Sequence, residues 1–213
     1  MAGSVYKFLY FIFAAVWGYQ VLKEEDYLPK SLWGKGEWKN AFVINFEFHD
    51  HVIGWKEYFL VTMGYHLGGL TEHFFHSRRS DFIEMALHHF LTLYLYGGSY
   101  LCNCWECAGV IAFMHDTADV TANITKLMSE TKYKWAAATV FFFHLNLWAY
   151  TRMYVYPILI YELHLYTPNM GSQVLKPIFV YLLSGLCVLH FYWFYIKLLI
   201  LKGFLTKGST EDI

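Results

Sequence analysis

The sequence predicts an all-α, polytopic membrane protein with six transmembrane helices, and three observations carry that prediction. The first is composition: 213 residues of which 57% are hydrophobic, 21% aromatic and only 15% charged, more apolar surface than a soluble core of this length needs. The second is segmentation. Apolar runs near the roughly 17 to 25 residues that cross a hydrocarbon core recur along the chain and are separated by polar seams. The third is charge placement, because Arg78, Arg79, Lys126, Lys132, Lys134, Lys202 and Lys207 all fall on one side if each run crosses. The positive-inside rule puts that side, and both termini, in the cytoplasm, or in the matrix for a mitochondrial membrane. A net charge of -1 provides no basic field, which excludes nucleic acid as a partner.

The runs follow in order. Val5 to Leu22 is the first, with Lys7 placed to snorkel; no small-residue cleavage site follows it, so it is expected to be a retained span. Lys23 to Glu57 is polar but holds Pro29, Gly34, Gly36 and several Trp and Phe residues, which predicts a loop lying on the membrane interface with its aromatics at headgroup level. Tyr58 to Phe75 is the second span. The third and fourth occupy Arg78 to Lys126 and are joined by a seam around Asn103 to Glu106. Trp135 to Ile160 is the fifth, with Pro157 expected to kink or end it, and Pro177 to Leu201 is the sixth, ahead of a short polar tail at 202–213. The whole chain reads as a single transmembrane domain.

Ionisable groups inside these spans call for a function, since a charge at the centre of a spanning helix costs roughly 2.5 to 3.5 kcal/mol. His88, His89, His115, Asp116 and Asp119 are the candidates for catalysis. Positions four apart share a helix face, which pairs Glu84 with His88 and His115 with Asp119. A carboxylate behind an imidazole fixes its tautomer and stabilises the imidazolium, as general-base and nucleophilic histidines require. The competing structural reading makes the histidines inter-helix hydrogen-bond partners and joins the aspartates to Arg152 in a buried network. His66, His73, His144 and His190 are assigned to helix packing, and His49, His51, His76 and His164, in or beside loops, are expected to be solvated. No metal is expected. Cys102, Cys104 and Cys107 have only the remote Cys187 as a fourth thiol, and the histidine boxes of membrane di-iron enzymes are absent, His73 and His76 beside one double His being too few ligands.

At these residues the sequence resembles the TLC-domain membrane proteins and, within them, the ceramide synthases. The family's basic, Asp-Phe approach to a double His followed by Thr is matched by Arg79, Asp81, Phe82, His88, His89 and Thr92. Ser99, Tyr100 and Asn103 resemble its Ser-aromatic-x-x-Asn, and His115, Asp116, Asp119 and Lys126 its His-Asp-x-x-Asp with a later Lys. Thr151, Arg152 and Pro157, then Leu189, His190 and Trp193, are similar to its Thr-Arg-x-x-x-x-Pro and Leu-His-x-x-Trp helices. The match runs from about Tyr58 onward. It departs at Glu106, where synthases usually carry Arg, at Ala108, Thr117 and Ala118, and at Asn123 in place of Glu. An acidic residue at Glu106 is expected to repel an anionic acyl-CoA.

The resemblance implies an acyl-CoA-dependent N-acyltransferase that acts on a long-chain (sphingoid) base inside the membrane, with acyl-CoA as co-substrate and no other cofactor. In that reading His88 or His89 is the general base or transient acyl acceptor, with His115, Asp116 and Asp119 sharing protons. Glu84, Thr92, Ser99, Tyr100, Asn103 and Arg152 are the substrate-binding residues it implies. The endoplasmic reticulum is the expected membrane, the mitochondrial inner membrane the alternative. The second reading is a non-catalytic, lipid-binding subunit of a larger membrane assembly, with lipids and other membrane protein chains as partners; the drifted motif surroundings favour it.

Overall fold

A computed structural model describes residues 2–42, 52–75, 81–166 and 175–207, and every regular element among them is helical apart from one isolated bridge between Pro29 and Gly36. Helix α1 spans Ala2–Leu22, α2 Trp55–Phe75, α3 Phe82–Leu101 and α4 Trp105–Ser129. Helix α5, Lys134–Trp148, runs through a π-helical stretch, Ala149–Val155, into α6, Tyr156–Tyr166, so the three form one continuous rod; α7 spans Leu175–Lys207. The six predicted spans are therefore present, the last two longer than their apolar runs suggested. The motif's Arg78 and Arg79, together with His49, His51, His76 and the tail beyond Lys207, lie outside the described residues.

The six rods close into a ring. Helix α1 packs along α4 and α2, α2 along α3, α3 along α7, α7 along the α5–α6 rod, and that rod back along α4. The ring form follows from the distribution of polar groups. Among the described residues only 3–22 and 176–206 are long and apolar enough throughout to cross a bilayer on composition, and the other rods hold most of their histidines and carboxylates toward an interior where partners are available. Lipid offers none, so polar side chains must turn inward. Outward faces are apolar and aromatic, as at Leu9, Phe13, Phe90, Phe143 and Tyr181.

Both described ends lie at one end of the ring, as the even number of spans requires. Ser4 on α1 donates to Glu130 beyond α4 at 2.9 Å, Lys7 pairs with Glu72 of α2 at 3.7 Å, and Phe204 of α7 meets Trp135 of α5 edge-on at 5.6 Å.

The segment after α1, through residue 42, folds over the far end of the ring as a plug. Leu28, Leu32 and Trp38 are buried, Trp38 donates to the Leu159 carbonyl at 3.2 Å, and Trp55 donates to the Tyr27 hydroxyl at 2.8 Å. Indole N–H groups need an acceptor, and the ring's own end supplies it. Gly36 permits this fold-back, since a Cβ there would overlap the Asp26 carbonyl. Pro157 does not end its helix, which runs on from the π-helical stretch into α6. The preceding π-helical turn shifts the bonding so that Tyr156 N–H reaches the Thr151 carbonyl, five residues back, and the rod absorbs the missing proline N–H.

The seam between α3 and α4 is set by Asn103, which takes φ +54°, a left-handed conformation asparagine tolerates better than most residues. Just beyond it, Gly109 lets α4 approach Trp55, whose ring an added Cβ would overlap. Gly109→Val should lower stability by about 1 to 3 kcal/mol through overpacking, whereas Gly203→Ala, in open space, should be close to neutral; detergent-solubilised thermal melts separate the two.

The plug also accounts for the position of Glu106. Burial pushes the Glu25 carboxyl up from its ordinary value, and the neighbouring Asp26 and Glu106 push it further. A carboxyl whose folded pKa is raised stabilises the fold below its unfolded pKa and loses that contribution as the pH rises through the folded value. Stability should therefore decline with increasing pH just above the ordinary carboxylate range, and Glu106→Arg should flatten that decline, read from melting temperature against pH.

Candidate active site

Two cavities meet in the middle of the ring. A wide cleft of about 1090 Å³ lies between α1, α2, α3 and α4 at the end that holds the termini, lined by Lys7, Glu72, His73, His89 and Lys126. A narrow cavity of about 70 Å³ continues toward the plug between α3, α4, α6 and α7, lined by Leu95, Ile111, Ala112, Leu163, Leu183 and Leu186, with Cys104, Cys107 and Ala41 at its far end. His66, His88 and Asp119 line both. That junction is where a polar headgroup from the cleft and a hydrocarbon chain in the narrow cavity would come together.

Each predicted site residue can now be placed. His88 is at the junction, its ring edge-on to Trp193 of α7 at 5.4 Å, with its Nδ1 buried and unpartnered. His89 faces the cleft and is packed against Gly69 and His73. His115 lines the narrow cavity; its Nδ1 lies 2.7 Å from the Ile111 carbonyl and its Nε2 3.2 Å from Nε2 of His190. Thr92 and Ser99 line the same cavity, and the Thr92 hydroxyl has no partner.

The paired-carboxylate expectation fails twice. Asp119 does not orient His115 but accepts from Arg152 at 2.6 Å. A buried guanidinium needs a carboxylate more than a neutral imidazole does. Glu84 does not stand behind His88 either; it accepts from the Tyr192 hydroxyl of α7. Four-residue spacing gives a shared face, but neighbouring helices decide which partner a side chain takes.

Asp116 is likewise outside the site. It lines neither cavity, is fully enclosed, and accepts from the Tyr58 hydroxyl at 3.0 Å, tying α4 to α2. Tyr100 stacks with Trp105 and Phe59 rather than on a cavity wall. Arg152, presented by the π-helical turn, positions Asp119 and lies over the Trp148 ring at 3.9 Å, with Lys197 of α7 at the same distance from that ring. A wide turn at a functional position is a recurrent use of π geometry. Thr151, Arg152 and Pro157 thus form one device: the proline goes with the wide turn, and the turn carries the arginine.

Two histidines that sequence reasoning assigned to packing belong to the site. His66 of α2 sits at the junction of both cavities, with one ring nitrogen each from His66, His88 and His89 lying within 4.8 Å of one another. His190 of α7 backs His115. The Leu-His-x-x-Trp spacing was the available signal for His190, because His190 and Trp193 share a face and touch His115 and His88 respectively. His66 had no signal beyond its depth in the span. His144, bonded to Thr121 at 2.9 Å, and the exposed His164 are where they were expected.

The double His, the His-Asp-x-x-Asp group and the Leu-His-x-x-Trp helix thus converge on one interior, and a TLC domain matches residues 1–198. The chain belongs to the TLC-domain family. Among its relatives, ceramide synthase 4 of Mus musculus is 27% identical over 215 residues, covering 99% of this chain and 52% of the relative. Ceramide synthase hyl-2 of Caenorhabditis elegans is 28% identical over 186 residues, covering 79% and 55%, and ASC1-like protein 3 of Oryza sativa subsp. japonica is 24% identical over 220 residues, covering 99% and 75%. The chain spans about half the length of the curated ceramide synthases it matches. It is a ceramide-synthase-like integral membrane protein of the TLC-domain fold.

The Asp119–Arg152 pair is the site's testable support. Asp119→Leu alone leaves a buried guanidinium without its partner and should cost about 3 to 5 kcal/mol. The double variant Asp119→Leu with Arg152→Met should recover most of that loss in the same unfolding measurement, because no uncompensated charge remains.

Proposed function

We propose that this TLC-domain protein is an acyl-CoA-dependent N-acyltransferase that acylates a long-chain sphingoid base in the endoplasmic reticulum membrane. The observation that carries the reading is the meeting of the wide cleft and the narrow apolar cavity at His66, His88 and Asp119. The names of the ceramide synthase relatives add support. The narrow cavity between Leu95, Ile111, Leu183 and Leu186, at about 70 Å³, admits a short stretch of the acyl chain, its side chains parting for a longer one, and the thioester reaches the histidines. Lys7 and Lys126 at the cleft suit the phosphates of the coenzyme, as cations recognise phosphate oxygens.

The chemistry needs a proton acceptor at the thioester. His88, or His89 beside it, either takes the proton from the amine as its nitrogen attacks the thioester carbonyl, or first accepts the acyl group itself and passes it to the amine. In both routes the carbon–sulfur bond breaks, the coenzyme leaves as a thiol and an amide forms. His115 with His190, and Asp119 with Arg152, hold the surrounding polar groups in place. Orientation of two lipids in one channel supplies the larger part of the acceleration.

The geometry also bears on Glu106. It opens α4 at the plug end, about 30 Å along the helix from Lys126 at 1.5 Å per residue, so it does not face the cleft where the coenzyme's phosphates would sit. In this reading its charge lies too far from those phosphates to repel them. Its charge acts on Glu25 instead.

Membranes containing the chain should convert acyl-CoA and a long-chain base to an N-acyl product. His88→Ala and His89→Ala should each lower turnover by roughly 10² to 10⁴-fold without unfolding the protein, measured by mass spectrometry of the lipid extract. A folded wild-type chain that forms no amide across several acyl lengths and bases, and whose removal destabilises a co-purifying complex, would replace this reading with a lipid-binding subunit.

A further inference from the structure

We propose that His66, His88 and His89 form a binding site for a divalent transition-metal ion of the zinc class. Three features on three different grounds support it. Each histidine offers a ring nitrogen, and the three nitrogens lie within 4.8 Å of one another, the one such grouping of three His, Cys, Asp or Glu side chains among the described residues. The Nδ1 of every one of the three is buried and has no hydrogen-bond partner. The site can also be reached: all three line the wide cleft, and His66 and His88 line the narrow cavity behind it.

The unpartnered atoms matter because a buried polar atom ordinarily has a protein, water or ion partner. A neutral imidazole carries one pyridine-type nitrogen whose lone pair is available to a Lewis acid, and an unpartnered Nδ1 leaves the ring free to take either tautomer. Three imidazoles from two helices select nitrogen-preferring ions such as zinc, copper or nickel over magnesium or calcium, which take oxygen ligands. Zinc bound by three histidines keeps a fourth position open, with bonds of about 2.0 to 2.1 Å.

The neighbourhood limits the ligand set to these three. His73 adjoins His89, with ring centroids 6.0 Å apart, but its Nε2 is engaged by the Phe82 carbonyl at 2.9 Å. Asp119 is held by Arg152. With an ion seated, the lone pairs of His88 and His89 that acyl transfer would use are occupied, so ion and acyl transfer exclude one another. That consequence rests on the proposed function; the binding itself does not.

The test therefore reads the ion. The full chain, purified in detergent and stripped with a chelator, is titrated with Co²⁺. One equivalent should bind with the intense visible bands of four-coordinate cobalt, and Zn²⁺ should displace it. His66→Ala and His66→Gln should each weaken binding by more than the roughly 10 to 100-fold that loss of an outer-shell partner costs, while His164→Ala, on the exposed end of α6, should leave it unchanged. Weak octahedral bands like those of aqueous Co²⁺ in the wild-type chain would overturn the site, whether or not the variants fold. So would wild-type affinity in a folded His66 variant.

Discussion

The buried ion pair between Asp119 and Arg152 is the constraint on which the rest of the interior depends. An arginine enclosed in an apolar ring carries a desolvation cost of several kcal/mol, and only a carboxylate in good geometry offsets it. Meeting that need fixes the rotation of α4 against the α5–α6 rod. With Asp119 turned to Arg152, His115 three-dimensionally faces α7 and finds His190, and Asp116 turns the other way to meet Tyr58. One pairing thus allocates the polar residues of α4 among three neighbours.

That allocation explains why the interior holds so many ionisable groups without collapsing. The structural ones are satisfied in pairs: Asp116 by Tyr58, Asp119 by Arg152, His144 by Thr121. Among the buried side-chain atoms without a partner, those of His66, His88, His89, Thr92, Tyr96 and Tyr10 line one or other of the two cavities. Unpaired polar atoms in a buried place are costly, and their concentration along these cavities is the physical mark of a site that takes something from outside. The plug over the far end completes the design by closing the narrow cavity to polar solvent from that side.

Local conformation serves the same end. A π-helical turn before Pro157 lets a proline sit inside a spanning rod and presents Arg152 inward. A left-handed Asn103 turns the chain from α3 into α4 across the seam that joins them. Both residues belong to the sequence motifs, and both set the path of the backbone.

The sequence by itself determined the class of the molecule: six helical spans, both ends on one side, and a family whose motif histidines lie at membrane depth. These are legible because bilayer thickness and hydropathy act on contiguous residues, and because a double His or His-Asp-x-x-Asp is a local pattern. Only the tertiary structure decided which partner each polar residue takes. Glu84 went to Tyr192, Asp119 to Arg152, and His66 joined His88 and His89 from another helix. Helical spacing tells which residues share a face, but the energy of a buried charge is set by what the neighbouring helix places opposite it, and that neighbour is chosen by packing around the whole ring.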